Sequence, residues 1–294
     1  MDGILCIDKP EEMTSFLCVA IVRRLLGVKK VGHAGTLDPN ATGVLPLLIG
    51  RGTKLLDHLP CHDKCYTATL RFGAVSDTLD VWDEVKETGK PIPTLAEVEA
   101  ALPVFRGDIL QVPPMTSALK KDGVRLYELA RQGIEIEREA RPVTIYDLTL
   151  IDYNEQEGLL TLSCHCSSGT YIRTLCDDLG RMLGCGAVMT ALRRTMAAGY
   201  PLTACITIEE AKALAEAGTL ADRLLPLDTA LAAYPAITVS AAQAARFGNG
   251  GALDLVRLRT KVEGTVRVCD PDGNCIALGT PADGMLKMTC LLRV

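Results

Sequence analysis

The 294-residue chain has no apolar run reaching the roughly 18 residues that a membrane-crossing helix requires. Its first residues, MDGILCIDKPEE, carry acids where a secretory signal would begin with bases. Both absences point to a soluble, cytoplasmic protein with no membrane partner. Twelve cysteines are present, yet no Cys-x-x-Cys pair is among them. They stand singly, several inside apolar segments (Cys6, Cys18, Cys176, Cys205, Cys290), as small buried side chains do. The nearest metal-like patterns are Cys61-His62-x-x-Cys65 and Cys164-His165-Cys166. Neither has the spacing of a structural zinc site, and strand alternation would split the second between two faces. Reduced thiols and no metal are expected. Internal repeats and low-complexity tracts are also missing. Gly50-Arg-Gly-Thr-Lys54 lacks the Walker spacing, so no nucleotide cofactor is expected.

What remains is an ordinary globular composition, 48% hydrophobic and 23% charged, long enough for two domains. The net charge of −5 is unevenly spread. Residues 72–172 hold nine Lys/Arg against seventeen Asp/Glu, whereas residues 1–71 hold nine against seven. Phosphate binding depends on the local field, so overall acidity leaves a nucleic-acid partner open.

The patterning predicts a helix over residues 15–26 capped by Thr14 or Ser15 and stopped by Gly27. VGHAGTLDPNATG, residues 31–43, holds three glycines and a proline and reads as an irregular loop. Residues 66–72, 142–151 and 159–167 read as strands, the last with Leu160, Leu162, Cys164 and Cys166 on one face. Capping pairs Thr94/Glu97, Thr207/Glu210 and Ser240/Gln243 open three helices, and residues 126–132 and the stretch following Tyr171 read as two more. Past Pro235 the texture turns β-rich, with Asp270-Pro-Asp-Gly-Asn as a strong turn. Taken alone, Asp38 reads as an Asx-turn carboxylate and His33 as a satisfied loop histidine.

Together, GILCIDKPEEMTS, KKVGHAGTLDPNATGVLPLLIGRGTKL, KCYTATLRFG, VPPMTSALKKDGVRLYELARQGIEIERE, CSSGTYIRTLCDDLGRMLGCGA and LRRT resemble the stand-alone, bacterial tRNA pseudouridine-55 synthases of the TruB type. The matching blocks run in the family's order over most of residues 3–195. The resemblance implies an α+β pseudouridine synthase fold. Its central sheet would be mixed, mainly antiparallel and flanked by helices, with a small, mostly β, PUA-like C-terminal domain. The catalytic domain would span 1–234, with a T-loop-gripping insertion around 105–140, and the PUA-like RNA-binding domain 235–294.

The implied activity is isomerisation of a T-loop uridine after base flipping, with tRNA as partner, a monomeric enzyme and no cofactor. By resemblance Asp38 is the catalytic nucleophile or base, Tyr66 stacks on the target base and Arg173 pairs with the aspartate. His33 fills the space the base vacates, Asp80 helps hold Arg173, Tyr171 lies beside it, and Leu192 forms an apolar wall. Lys54 is expected to bind substrate, and Lys29, Lys30, Arg51, Arg181, Arg193 and Arg194 to face phosphates. After SDTLD the usual Asp/Glu-Gly pair is replaced by Val81-Trp82-Asp83.

The chemistry suits these residue types. Breaking N1–C1′, turning the base and joining C5 to C1′ is redox-neutral and consumes nothing. It asks for a carboxylate beside the sugar and a pocket that retains the base. Two other readings stand beside it. One is a guide-RNA-dependent relative, which long basic tails would favour; the other is a non-catalytic tRNA-binding or folding protein, which loss of Asp38 would mark.

Overall fold

Alternating apolar residues in neighbouring segments produce the centre of the molecule in the computed structural model, which describes residues 1–117, 119–121 and 123–292. Lys64–Phe72 and Leu159–Cys166 pair antiparallel, and both bury every second side chain. They sit in a nine-stranded sheet whose main path is Gly3–Lys9, Thr42–Ile49, Ala187–Ala197, Lys64–Phe72, Leu159–Cys166, Arg141–Asn154 and Gly107–Gln111. Every step along this path is antiparallel except Thr42–Ile49 against Ala187–Ala197, which is parallel. The mixed, mainly antiparallel sheet matches the expectation.

Tyr66, Ala68, Leu70 and Phe72 share a buried cluster with Leu160, Leu162, Cys164 and Cys166. Helices Leu95–Ala101 and Ile172–Met182 close that face, the latter through Ile172, Leu175 and Leu179. Helices Ser15–Leu25 and Ile208–Glu216 cover the other end, over Leu5, Ile7, Leu45, Leu47 and Ile49. Burying a side chain of this size stabilises by roughly 1.5–3 kcal/mol.

Thr14 accepts the Leu17 amide at 3.0 Å, and the Thr94, Thr207 and Ser240 capping boxes all form. The helix expected over 126–132 is shorter, Leu126–Ala130. The stretch 31–43 is not irregular throughout. Val31–His33 and Thr42–Ile49 pair antiparallel with each other, so only 34–41 leaves the sheet. Residues 107–138 fold into the short strands Gly107–Gln111, Lys120–Lys121 and Val124–Arg125 and the helix after them. Ala118 and Asp122 of the expected insertion lie outside the described residues.

A second, five-stranded sheet occupies Ala236–Leu291, in the order Ala236–Thr238, Val266–Cys269, Cys275–Ala282, Met285–Leu291 and Leu253–Asp254. It has its own core around Phe247, Val268 and Leu286. Its other side is not free. Leu278, Cys290 and Leu292 belong to one apolar cluster with Ile4, Val44 and Leu48 of the main sheet and with Leu55 of the 3-10 helix Gly50–His58.

Candidate active site

Residues 34–41 form a loop with few bonds within itself; buried side chains from three other elements hold it. Ser15, opening its helix, donates to the Leu37 carbonyl at 3.0 Å and accepts the Leu37 amide at 2.8 Å. Lys9, at the end of its strand, donates to the carbonyls of Pro39 (2.8 Å), Pro10 (2.8 Å) and Met13 (2.6 Å). Arg194 spreads its guanidinium over Gly35 (3.0 Å), Thr36 (3.2 Å) and Val44 (2.8 Å), again through carbonyls. Both cations are wholly buried. Neither forms an ion pair with a carboxylate among the described residues. Gly43 makes the close approach possible: at φ +105° its position would set a Cβ 2.1 Å from the Arg194 carbonyl oxygen.

Held this way, the loop presents Asp38 outward. Its carboxylate is 42% exposed and forms an ion pair with Arg173 Nη2 at 3.0 Å. Arg173 is nearly buried in the first turn of the Ile172–Met182 helix. Its Nη1 contacts Asp80 Oδ2 (3.3 Å) and donates to Thr116 Oγ1 (2.6 Å) and the Thr78 carbonyl (3.2 Å). The guanidinium therefore stands between two carboxylates. Burial pushes the Asp80 carboxyl up, against the opposing pull of Thr78 and Arg173. Its turn is clamped to Met189 by amides in both directions, and Leu79 inside it adopts φ +65°. A left-handed leucine costs on the order of 1 kcal/mol and persists where surrounding bonds over-determine it.

A cavity of about 1750 Å³ opens above, lined by Asp38, His33, Asp80, Arg173 and Thr116 among others. His33 is held toward its neutral form by burial and by Arg194. Tyr66 and Leu192 do not line this cavity. They lie beneath the loop in the cluster that contains Leu37 and Ala41. The Tyr66 phenol is pushed up to about 12 by burial, while the positive charge of nearby Arg194 pulls the other way, so its O–H is intact at neutral pH.

Of the sequence-predicted residues, Asp38, Arg173, Asp80 and His33 meet at the cavity. Tyr171 lies next to Arg173 at the helix start, its main chain bracketed by Gln111 (2.7 and 3.0 Å). Lys54 lies apart from the cavity, in a second hollow with Lys29, Lys30 and Arg51. Arg181 lines the main cavity and pairs with Asp177 at 2.7 Å. Arg193 pairs with Asp8 at 2.7 Å. Arg194 corrects the expectation of a phosphate contact: a fully buried guanidinium cannot reach a phosphate, and its donors are spent on the loop.

Sequence reasoning missed the positioning roles of Lys9, Ser15 and Thr116. For Lys9 a signal existed, a charged residue closing the apolar strand GILCID; for Thr116 there was none. Burial lowers Lys9 to about 8, while its three carbonyl partners require all three ammonium N–H groups. The protonated form that fixes Pro39 is complete below that pH and is lost as pH rises through it. Turnover is therefore expected to decline above about pH 8. A pH–rate profile of Lys9→Arg, which cannot deprotonate in this range, should move the decline upward; superimposable profiles would contradict this.

Family models cover most of the chain. That for the N-terminal domain of TruB family pseudouridylate synthases matches residues 23–172. The tRNA pseudouridylate synthase B C-terminal domain matches 173–232, and the C-terminal region of tRNA pseudouridine synthase II matches 234–288. A tRNA pseudouridine synthase B of Haemophilus influenzae is 49% identical over 253 residues, covering 85% of this chain and 80% of the relative. The protein of that name from Dechloromonas aromatica is 44% identical over 286 residues, covering 97% and 93%. Among solved structures, an H/ACA RNP bound to a substrate RNA containing 2′-deoxyuridine aligns with a TM-score of 0.74 at 20% identity, over 99% of this chain and 85% of that one. A Cbf5-Nop10-Gar1 complex gives 0.73 at 22%, over 99% and 84%. At such identities these structures speak for the fold alone.

Proposed function

Because this chain belongs to the TruB family of pseudouridylate synthases, we propose that it isomerises the T-loop uridine at tRNA position 55, with Asp38 as the reacting carboxylate. As a tRNA pseudouridine synthase it is an RNA isomerase. The observation that carries the residue assignment is the Asp38–Arg173–Asp80 array at the edge of a cavity about 1750 Å³ in volume. Small-ligand pockets occupy roughly 300–1,000 Å³, so the space suits a polymer segment with one base extruded.

In this reading Arg173 orients Asp38 with charge-assisted hydrogen bonds and is itself fixed by Asp80, Thr116 and Thr78. Asp38, the exposed member, acts as nucleophile or base while N1–C1′ opens and C5–C1′ closes. Tyr66 and Leu192 receive the uracil once the loop above them adjusts. His33, kept neutral, fills the gap left in the RNA stack without carrying charge into it. Tyr171 buttresses Arg173, and Lys54 meets phosphates away from the reacting base. Residues 1–234 act as the catalytic unit and 235–294 as an RNA-binding module, supported by the separate five-stranded sheet. The enzyme acts as a cytoplasmic monomer on the T stem-loop. No helix among the described residues is long and apolar enough to cross a membrane.

The test is incubation with unmodified tRNA and with a T-stem-loop fragment, each with and without prolonged EDTA, followed by pseudouridine mapping. One modified T-loop position in all four reactions is expected. Modification elsewhere, or none, overturns the substrate reading; EDTA inactivation reversed by zinc overturns the metal-free one.

A further inference from the structure

Trp82 is the sole tryptophan of the chain, and it lines the main cavity with 37% of its surface exposed. It belongs to none of the four apolar clusters, either as a member or as a side chain packed against one. A large indole outside any core forfeits the burial that normally places it. Its backbone is nevertheless fixed: the Trp82 amide donates to Asp80 Oδ1 at 3.3 Å. Asp80 in turn grips Arg173, which stands between it and Asp38. The indole is thus mounted one guanidinium away from the reacting carboxylate, on the Asp80 side.

The charge of this wall narrows what can lie against it. Asp77, Asp80 and Asp83 line the same stretch of cavity as Trp82. Asp80 is met by Arg173, and the other two carboxylates, which form no ion pair among the described residues, repel phosphate. The cations Arg125, Arg131 and Arg138 line the cavity from residues 125–138 instead. The RNA element that fits the acidic wall is therefore uncharged and flat: an exposed nucleobase. Tyr127, another aromatic residue of the cavity, already has Arg125 and Arg131 over its ring, at 5.8 and 5.4 Å from the centroid. No ring or cation contact occupies Trp82 among the described residues.

We propose that Trp82 is a stacking platform for an unpaired base of the substrate RNA other than the uridine that reacts. Resting on the isomerase reading above, this makes Trp82 a substrate-binding residue that contributes affinity and leaves the chemical step to Asp38. Base–aromatic stacking lost to alanine costs about tenfold in affinity, within a wide range.

The experiment measures steady-state kinetics of Trp82→Ala and Trp82→Phe on unmodified tRNA, alongside a fluorescence titration of the single indole in Asp38→Asn protein. Trp82→Ala should raise KM about tenfold with kcat within about twofold, Trp82→Phe should recover most of the loss, and tRNA should quench the indole. An unchanged KM, an unquenched indole, or a fall in kcat with KM constant would overturn the proposal. The last outcome would mark Trp82 as a mere support of the Asp80 turn. Absence of isomerisation by the unaltered protein would count against the parent reading, and the quench would still decide for Trp82.

Discussion

Asp38→Asn is expected to lower isomerisation by at least ~1,000-fold while tRNA affinity stays within a few-fold. The amide has the shape of the carboxylate and cannot serve as nucleophile or base. Folding is protected for two reasons visible in the site. The loop is held through its main chain by Ser15, Lys9 and Arg194, none of which uses the Asp38 side chain. Arg173 keeps Asp80, Thr116 and Thr78, so removing the Asp38 charge leaves no orphaned guanidinium. Single-turnover assays with mapped pseudouridine, beside filter binding of tRNA, check both halves. Normal turnover removes Asp38 from its role, and a collapse in binding would mean that its charge organises the RNA rather than the reaction.

Arg194→Met should be nearly as damaging, through another route. The substitution deletes the donors to the buried Val44 carbonyl and to the half-buried carbonyls of Gly35 and Thr36, and the charge beside the Tyr66 phenol. Each buried polar group left without a partner costs about 1–3 kcal/mol. With one such group buried and two within reach of water, the loss is at least on the order of 1–3 kcal/mol, a substantial share of the 5–15 kcal/mol that holds most domains together. Arg194→Lys retains the charge but offers a compact ammonium where a fork is needed, and should rescue little. Urea unfolding separates the stability loss from activity measured on the folded fraction. Wild-type midpoints and turnover in Arg194→Met would refute the scaffold role.

The sequence was most legible where side chains alternate or caps are explicit. The Lys64–Phe72 and Leu159–Cys166 strands and the Thr94, Thr207 and Ser240 helix starts all appear where their patterns place them. The strand Gly3–Lys9 and most of Thr42–Ile49 went unread because they are buried on both faces and show no period of two. Ala187–Ala197 escaped for a related reason, since two register shifts against Lys64–Phe72 break its alternation. In the site, Asp38, Arg173, Asp80 and His33 were nameable because they lie in motifs. Arg194 was misassigned because the arginine pair in LRRT looks like a phosphate contact until the carbonyl partners of Arg194, 150 or more residues away in sequence, are in place.

Cys290 Sγ lies 3.8 Å from the Lys54 carbonyl, and the Tyr234 hydroxyl donates to the His58 carbonyl at 3.1 Å. Those contacts, with the apolar cluster that includes Val44 and Leu48, seat the second sheet on the back of the strand whose Val44 carbonyl receives Arg194. A displacement of the outer sheet would thus be carried by packed side chains to the Val44 carbonyl and, through Arg194, to the loop that bears Asp38.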